Sequence, residues 1–213
     1  APVLKTGVPQ GTVSSNLTAS ADFCYNTNME ILEFFQQIRT PMTILHVLVV
    51  VVGMGAALMS DLLFSFFSKD KKLNKTEIST LEILAKIVFY SLIFISISGV
   101  GIFLSDISKY ANSAKFLSKM SILAILLLNG YLLNKYIWPH LLNRNFFTLK
   151  KVRNIRKLAF VCGSISVISW LAVLGLGVLD TLAINYSTTM LAYLFAISAG
   201  SLIALVVERM EFN

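Results

Sequence analysis

Residues Pro41–Phe67 read PMTILHVLVVVVGMGAALMSDLLFSFF. This stretch carries a single charge, Asp61, and a single imidazole, His46. A helix needs about 20 predominantly apolar residues to cross roughly 30 Å of hydrocarbon, and this one has them. Thr40-Pro41 gives it a start: threonine caps well, and proline in a first turn lacks only a donor that would be orphaned there anyway. Three features break its apolar character: His46 near the beginning, Gly53 and Gly55 in the middle, and Asp61 near the end.

The whole chain extends this theme. Of its 213 residues 56% are hydrophobic and only 14% charged, and mean hydropathy is +0.74. Soluble domains carry roughly 25% charged residues, so lipid must be the solvent for much of this surface. The net charge of +7 comes from short basic segments between apolar runs, which is the positive-inside pattern rather than a nucleic-acid footprint. Cys24 and Cys162 are the only cysteines, with no spacing that would bind zinc, an iron–sulfur cluster or a covalently attached haem.

Working outward toward the N-terminus, residues 1–28 are polar, aperiodic and rich in Gly, Ser, Thr and Asn, and are expected to form an extracytoplasmic tail. Thr27-x-x-Glu30 is a capping box ahead of residues 29–40. There Ile31, Leu32, Phe34, Phe35 and Ile38 fall mostly on one side, the pattern of a short interfacial helix. Toward the C-terminus, a loop with Lys69, Lys71, Lys72 and Lys75 leads to a capping box at Ser79-x-x-Glu82 and a second span over residues 81–104. A third span covers 115–138, closed by Tyr136, Trp138 and a helix-stopping or kinking Pro139. The fourth and fifth cover 158–179 and 190–207, and residues 208–213 are left as a tail. Open strands would leave backbone groups unpaired in lipid. The fold class is therefore all-α, a polytopic membrane bundle of five transmembrane helices within 41–207.

Orientation follows from charge. Segments after the first, third and fifth spans hold eleven Lys and Arg, against four in the N-terminal segment and the other two loops. The lysine-rich side is expected to be cytoplasmic, with the N-terminus outside and the C-terminus inside; an outside N-terminus fits a removed signal peptide or a short tail translocated without one.

Direction also assigns depth. His46 lies near the outer surface and His140, past the third span, near the inner one. At 1.5 Å per residue they are roughly 30 Å apart and cannot ligate one haem together. The outer layer gathers His46, Asp106, Lys119 and Asp180. A histidine and a lysine beside carboxylates can bind an anion or relay protons; the plainer reading of the two aspartates is that they mark helix ends in water. The inner layer gathers Asp61, Glu82, Lys86 and Lys135. Glu82 and Lys86 are spaced to pair on one helix, and an Asp61–Lys135 bridge would offset the cost of burying Asp61; snorkelling at the headgroups is the plainer reading. Asn129 reads as an interhelical hydrogen bond, and Gly53, Gly55, Gly99, Gly101, Gly163 and Gly200 as places of close helix packing. No Walker loop, nucleophile elbow, HExxH or dinucleotide fingerprint occurs, so no catalytic residue and no metal-ligand set is assigned.

LHVLVVVVGMGAALMSDLLF, with His46 opening the first span, resembles the start of a loose group of bacterial membrane proteins. The group comprises the copper-resistance D-type proteins and the HemJ-type protoporphyrinogen oxidases. AKFLSKMSILAILLLNG, with Lys119 opening the third span, is similar to the lysine-bearing third helix of the same group. Both segments also resemble uncharacterised bacterial multi-pass proteins. The resemblance implies an inner-membrane bundle in which His46 and Lys119 act as a pair on haem b, a porphyrin or a metal ion. The chain departs from that pattern in its fifth span, its N-terminal extension and the lack of the tryptophan usual after the first histidine's helical turn in the oxidases. Two other functions fit the sequence without that resemblance. One is a non-enzymatic accessory or scaffold subunit, as a homo-oligomer or part of a larger membrane complex. The other is a small transporter using Asp61 and Lys135.

The topology is open to direct test. In a cysteine-free background, Ser15→Cys should react with a membrane-impermeant maleimide on intact cells. Lys71→Cys and Arg144→Cys should react only after permeabilisation.

Overall fold

A computed structural model describes residues 33–68, 73–141, 153–178 and 185–212. Five of its helices are long and apolar enough to cross a membrane, and no strand occurs among the described residues. The protein is an all-α, multi-pass helical bundle. We label the helices α1 (Arg39–Ser68), α2 (Lys75–Leu104), α3 (Ile107–Ala111), α4 (Ala114–Leu132, continued to Leu141), α5 (Arg153–Val178) and α6 (Tyr186–Phe212). Residues 33–37 are also helical and run through a turn at Ile38 into α1. The rest of the segment expected to lie in the interface, like the capping box at Thr27, falls outside the described residues.

The helices begin and end for identifiable reasons. α2 starts four residues before the Ser79 box. Asn74 precedes it, and the Asn74 amide donates to Glu77 Oε2 at 2.7 Å. This upstream box takes over the start, leaving Ser79 inside the helix and Glu82 to pair with Lys86 at 2.8 Å on the exposed face. The connection between the second and third spans contains the short α3, which Asp106 caps by accepting from the Lys109 amide at 3.2 Å. Pro139 does not stop α4. The chain widens into a π turn at Leu133–Ile137, with the Trp138 amide donating to Leu133 O, and then continues as Trp138–Leu141. A proline nitrogen cannot donate and its ring crowds the preceding turn; a π turn is one way a helix absorbs that.

α1 and α2 form a closely packed antiparallel hairpin, and α5 and α6 form a second. α4 lies against α5 and touches α6, while α1 joins the two halves by packing on α5. Between apolar helices in lipid there is no strong hydrophobic drive, so close approach and interhelical polar contacts matter more. Gly53 is the closest approach in the first half: a Cβ there would lie 2.7 Å from Ser91 Cβ on α2 and 3.0 Å from the Trp170 ring on α5. The neighbouring Gly55 faces outward, with nothing within 4 Å of a Cβ. Gly101 gives room to Met42, while Gly175 and Gly177 near the end of α5 are open.

Three apolar clusters stack along the bundle. At the end bearing the basic loops, Leu73, Leu81, Ile137, Leu141, Ala159 and Cys162 are buried. In the middle are Ala57, Leu92, Ile95, Leu126 and Trp170. Toward the other end are Ile122, Leu176 and Tyr193.

α6 is the most peripheral span, with only Tyr193 and Glu208 buried. Polar contacts tie it down at two levels. Tyr193 and Ser169 of α5 share a hydrogen bond of 2.8 Å. Near its other end Arg156 Nε donates to Glu208 Oε1 at 2.7 Å, with side chains only 7% and 2% exposed. The Arg156 guanidinium also sits 4.4 Å from the centre of the Phe212 ring, and Ser68 Oγ of α1, which donates to the Ser65 carbonyl at 2.7 Å, lies 3.3 Å from Glu211 Oε2. Residues 208–212 are therefore not a tail. They are the last turn of α6, docked against α5 and α1.

Removing one partner of a buried ion pair leaves a charge without compensation and typically costs about 3–5 kcal/mol. Glu208→Leu and Arg156→Met should each destabilise the protein by that order in a reversible detergent-unfolding titration. The double variant should lose clearly less than the sum.

Candidate functional site

His46 sits two turns into α1 and is half-buried. It lies on the same helical stripe as Val50, Gly53 and Ala57, so it points toward α2 rather than to lipid. Its Nδ1 is 2.8 Å from Ser98 Oγ on α2, and its Cε1 lies 3.8 Å from where Gly99 would carry a Cβ. Ser98 is buried, and its hydroxyl donates to the Phe94 carbonyl at 2.6 Å. A hydroxyl has one hydrogen, so Ser98 can only accept from His46. With Nδ1 as the donor to Ser98, Nε2 is the ring nitrogen left with a lone pair; the ring also meets the Ile95 backbone of α2. Gly99 leaves the ring room, and Ser98 fixes its tautomer.

Lys119 enters from α4. It is near enough for its charge to act on the His46 ring, and it makes an interaction of its own. The structure thus brings His46 and Lys119 into one outer region, from α1 and α4, with Ser98 of α2 between helix and ring. Asp106 is not part of this group: it is occupied as the cap of α3, also accepting from Ser108 Oγ at 3.1 Å. Asp180 lies outside the described residues.

Above this region, at the end of the bundle where α1 begins, an aromatic lid is assembled. Phe103 stacks on Phe116 at 5.2 Å between centroids and 13° between planes. Tyr110 leans on Phe116 at 5.6 Å, and Arg39 donates to the Tyr110 hydroxyl at 3.1 Å. None of this is marked by a motif. The signal in the sequence was only that aromatic residues flank the span ends, as they do in interfacial belts.

The inner-layer residues are arranged differently from expectation. Lys135 is exposed and donates to the Tyr131 hydroxyl at 2.8 Å, with its ammonium 5.5 Å from the centre of the Tyr136 ring. It does not meet Asp61, so the expected bridge is not formed. Lys135 snorkels along its own helix between two tyrosines instead. Asp61 faces α5, where its Oδ1 is 3.2 Å from the position a Cβ would take on Gly163. Its Oδ2 is buried and has no hydrogen-bond partner among the described residues. Asn129 of α4 makes the interhelical bond expected of it, donating from Nδ2 to the Cys162 carbonyl at 2.9 Å, and its Oδ1 is likewise buried without a partner. His140 is exposed at the far end of α4, on the Tyr136 carbonyl at 3.0 Å.

Among the described residues no group of three or more His, Cys, Asp or Glu is placed to hold a metal ion. No family model, curated protein or solved structure matches this chain, so function has to be argued from these side chains alone.

Ser98→Ala removes the acceptor of the His46 Nδ1–H and should destabilise the folded protein by about 1–3 kcal/mol, the cost of an unsatisfied buried donor. Ser96→Ala is the control. Ser96 Oγ bonds only the Leu92 carbonyl of its own helix, at 2.8 Å, and its loss should change the detergent-unfolding midpoint little.

Proposed function

We propose that this multi-pass membrane protein binds a flat, anionic, amphiphilic cofactor of the haem or porphyrin class in the outer half of the bundle. His46 would supply a nitrogen to the iron, and Lys119 would neutralise a carboxylate of the cofactor. The observation that carries this reading is the His46–Ser98 hydrogen bond of 2.8 Å. Histidines that ligate metals regularly donate their second ring N–H to a fixed acceptor, which sets ring orientation and tautomer. A buried serine whose own hydrogen is committed to Phe94 is such an acceptor. The charge of Lys119 near the ring supports an anionic ligand over a cationic one, because a bare cation would meet repulsion there. When bound, the cofactor would bring redox or ligand-binding chemistry. The chain would hold the iron on one side through His46 and neutralise a carboxylate through Lys119, with the surrounding apolar residues keeping water away.

The bacterial inner membrane, the outside N-terminus and the absence of a second histidine ligand belong to the same reading. A small transporter is the second reading, and one observation favours it: Asp61 keeps a buried carboxylate oxygen without a hydrogen-bond partner among the described residues.

An absorption spectrum of the protein, purified after growth with a haem precursor, tests the proposal. A Soret band should be present in the wild type and be lost in His46→Ala. In Lys119→Ala it should persist with at least about tenfold weaker haem affinity, the loss of one charge-assisted contact worth 1.5–3 kcal/mol. A colourless wild type that does not take up added haem would exclude the reading.

A further inference from the structure

Fifteen residues beyond His46 on α1, about 22 Å along the helix at 1.5 Å per residue, lies the second polar feature of the bundle. Asp61 Oδ2 and Asn129 Oδ1 are both buried, and neither has a hydrogen-bond partner among the described residues. They come from different helices, α1 and α4, yet rest on consecutive residues of α5. Asn129 holds the Cys162 carbonyl, and Asp61 lies on the bare Cα of Gly163. Because the Asn129 amide nitrogen is committed to a carbonyl, its oxygen is the atom left over. Two oxygen acceptors are thus left without a donor among the described residues; the third buried polar atom without a partner, the Trp170 indole N–H, lies seven residues further along α5.

The neighbouring charged and titratable groups do not supply one. On α2, Lys86 is taken by Glu82 at 2.8 Å on the exposed face. On α4, Lys135 is turned outward to Tyr131. On α5, Arg156 is bonded to Glu208, and Cys162 is a buried thiol. A carboxylate left uncompensated inside a membrane bundle costs several kcal/mol. Water could donate to the two oxygens but would leave the charge in place. A cation removes both deficits.

We propose that Asp61, with Asn129 Oδ1, forms a monovalent-cation site against α5 at Cys162–Gly163, occupied by a proton or a sodium ion. Gly163 is part of it, because a methyl there would press on Asp61 Oδ1. The site is separate from the one around His46 and stands whether or not a cofactor binds there.

Dicyclohexylcarbodiimide, a lipid-soluble reagent for protonated carboxyls, tests it on the full chain in detergent micelles, with the labelled residue identified by mass spectrometry. In sodium-free choline buffer Asp61 should be labelled. Labelling should fall about tenfold per pH unit on the alkaline limb, as a single proton titration demands, and should be lost in Asp61→Asn. Protection by sodium at constant pH and ionic strength, with none from potassium, identifies sodium as the occupant. Protection by pH alone identifies the proton. The thermal midpoint gives the second measurement. It should respond to pH or sodium in the wild type, and that response should shrink in Asn129→Leu and vanish in Asp61→Asn. Asp61 unlabelled across the whole pH range would overturn the proposal. So would a midpoint whose response to pH and sodium is the same in the wild type and Asp61→Asn.

Discussion

Arg156 and Glu208 meet at 2.7 Å with almost none of either side chain exposed, in a protein whose last helix buries only one other residue. Lipid tails solvate leucine as well as a neighbouring helix does, so apolar complementarity alone gives α6 little reason to dock. The ion pair, the Phe212 ring under the guanidinium and the Tyr193–Ser169 bond hold it along its length. Gly200 lets it come close to Ile168 and Ser164 between those points. The same rule governs the other half of the molecule. Gly53 lets α1 press on Ser91 and Trp170, and that contact connects the α1–α2 hairpin to α5. The positions of His46 and Asp61 relative to the other helices both derive from it, because both are carried by α1.

The candidate sites differ in how they are satisfied. At His46 the ring is held by polar partners within the protein, with Nδ1 on Ser98. At Asp61 what remains is oxygen. The two proposed ligands differ accordingly, an anionic cofactor beside Lys119 and a cation beside Asp61. One helix thus carries two kinds of unfinished coordination, separated by roughly the thickness of a leaflet.

Much of the architecture was legible before any coordinates, because membrane thickness imposes a length and the backbone must satisfy itself within each span. The number of spans follows from that constraint. What the sequence could not supply is helix rotation about its own axis. Asp61 and Lys135 are at similar depth, yet they face different neighbours, and depth alone made them look like a pair. His46 and Lys119 were brought to one region by depth and are close in the fold, but Ser98, which orients the ring, carries no motif and was missed. Its only mark was a serine in the middle of an apolar span. Glu208 was read as part of a tail for a related reason. A hydropathy boundary marks where apolar character ends, and a helix pinned by an ion pair continues beyond it. The start of α2 shows a smaller version of the problem, since two capping boxes lie in one stretch and only the upstream one is used.

The π turn at Leu133–Ile137 has a consequence for phase. Asn129 and Leu141 are twelve residues apart, and at about 100° per residue an ideal α-helix would leave them some 120° out of line. Yet both are buried, Asn129 against α5 and Leu141 in the cluster with Ala159 and Cys162. A wide turn holds about one extra residue, which takes back most of that drift. The helix therefore keeps a single stripe toward α5 on both sides of Pro139. The residues displaced by the correction, Lys135, Tyr136 and His140, are all turned outward. Pro139, which would ordinarily divide the helix into two misaligned segments, becomes the point at which its register is reset.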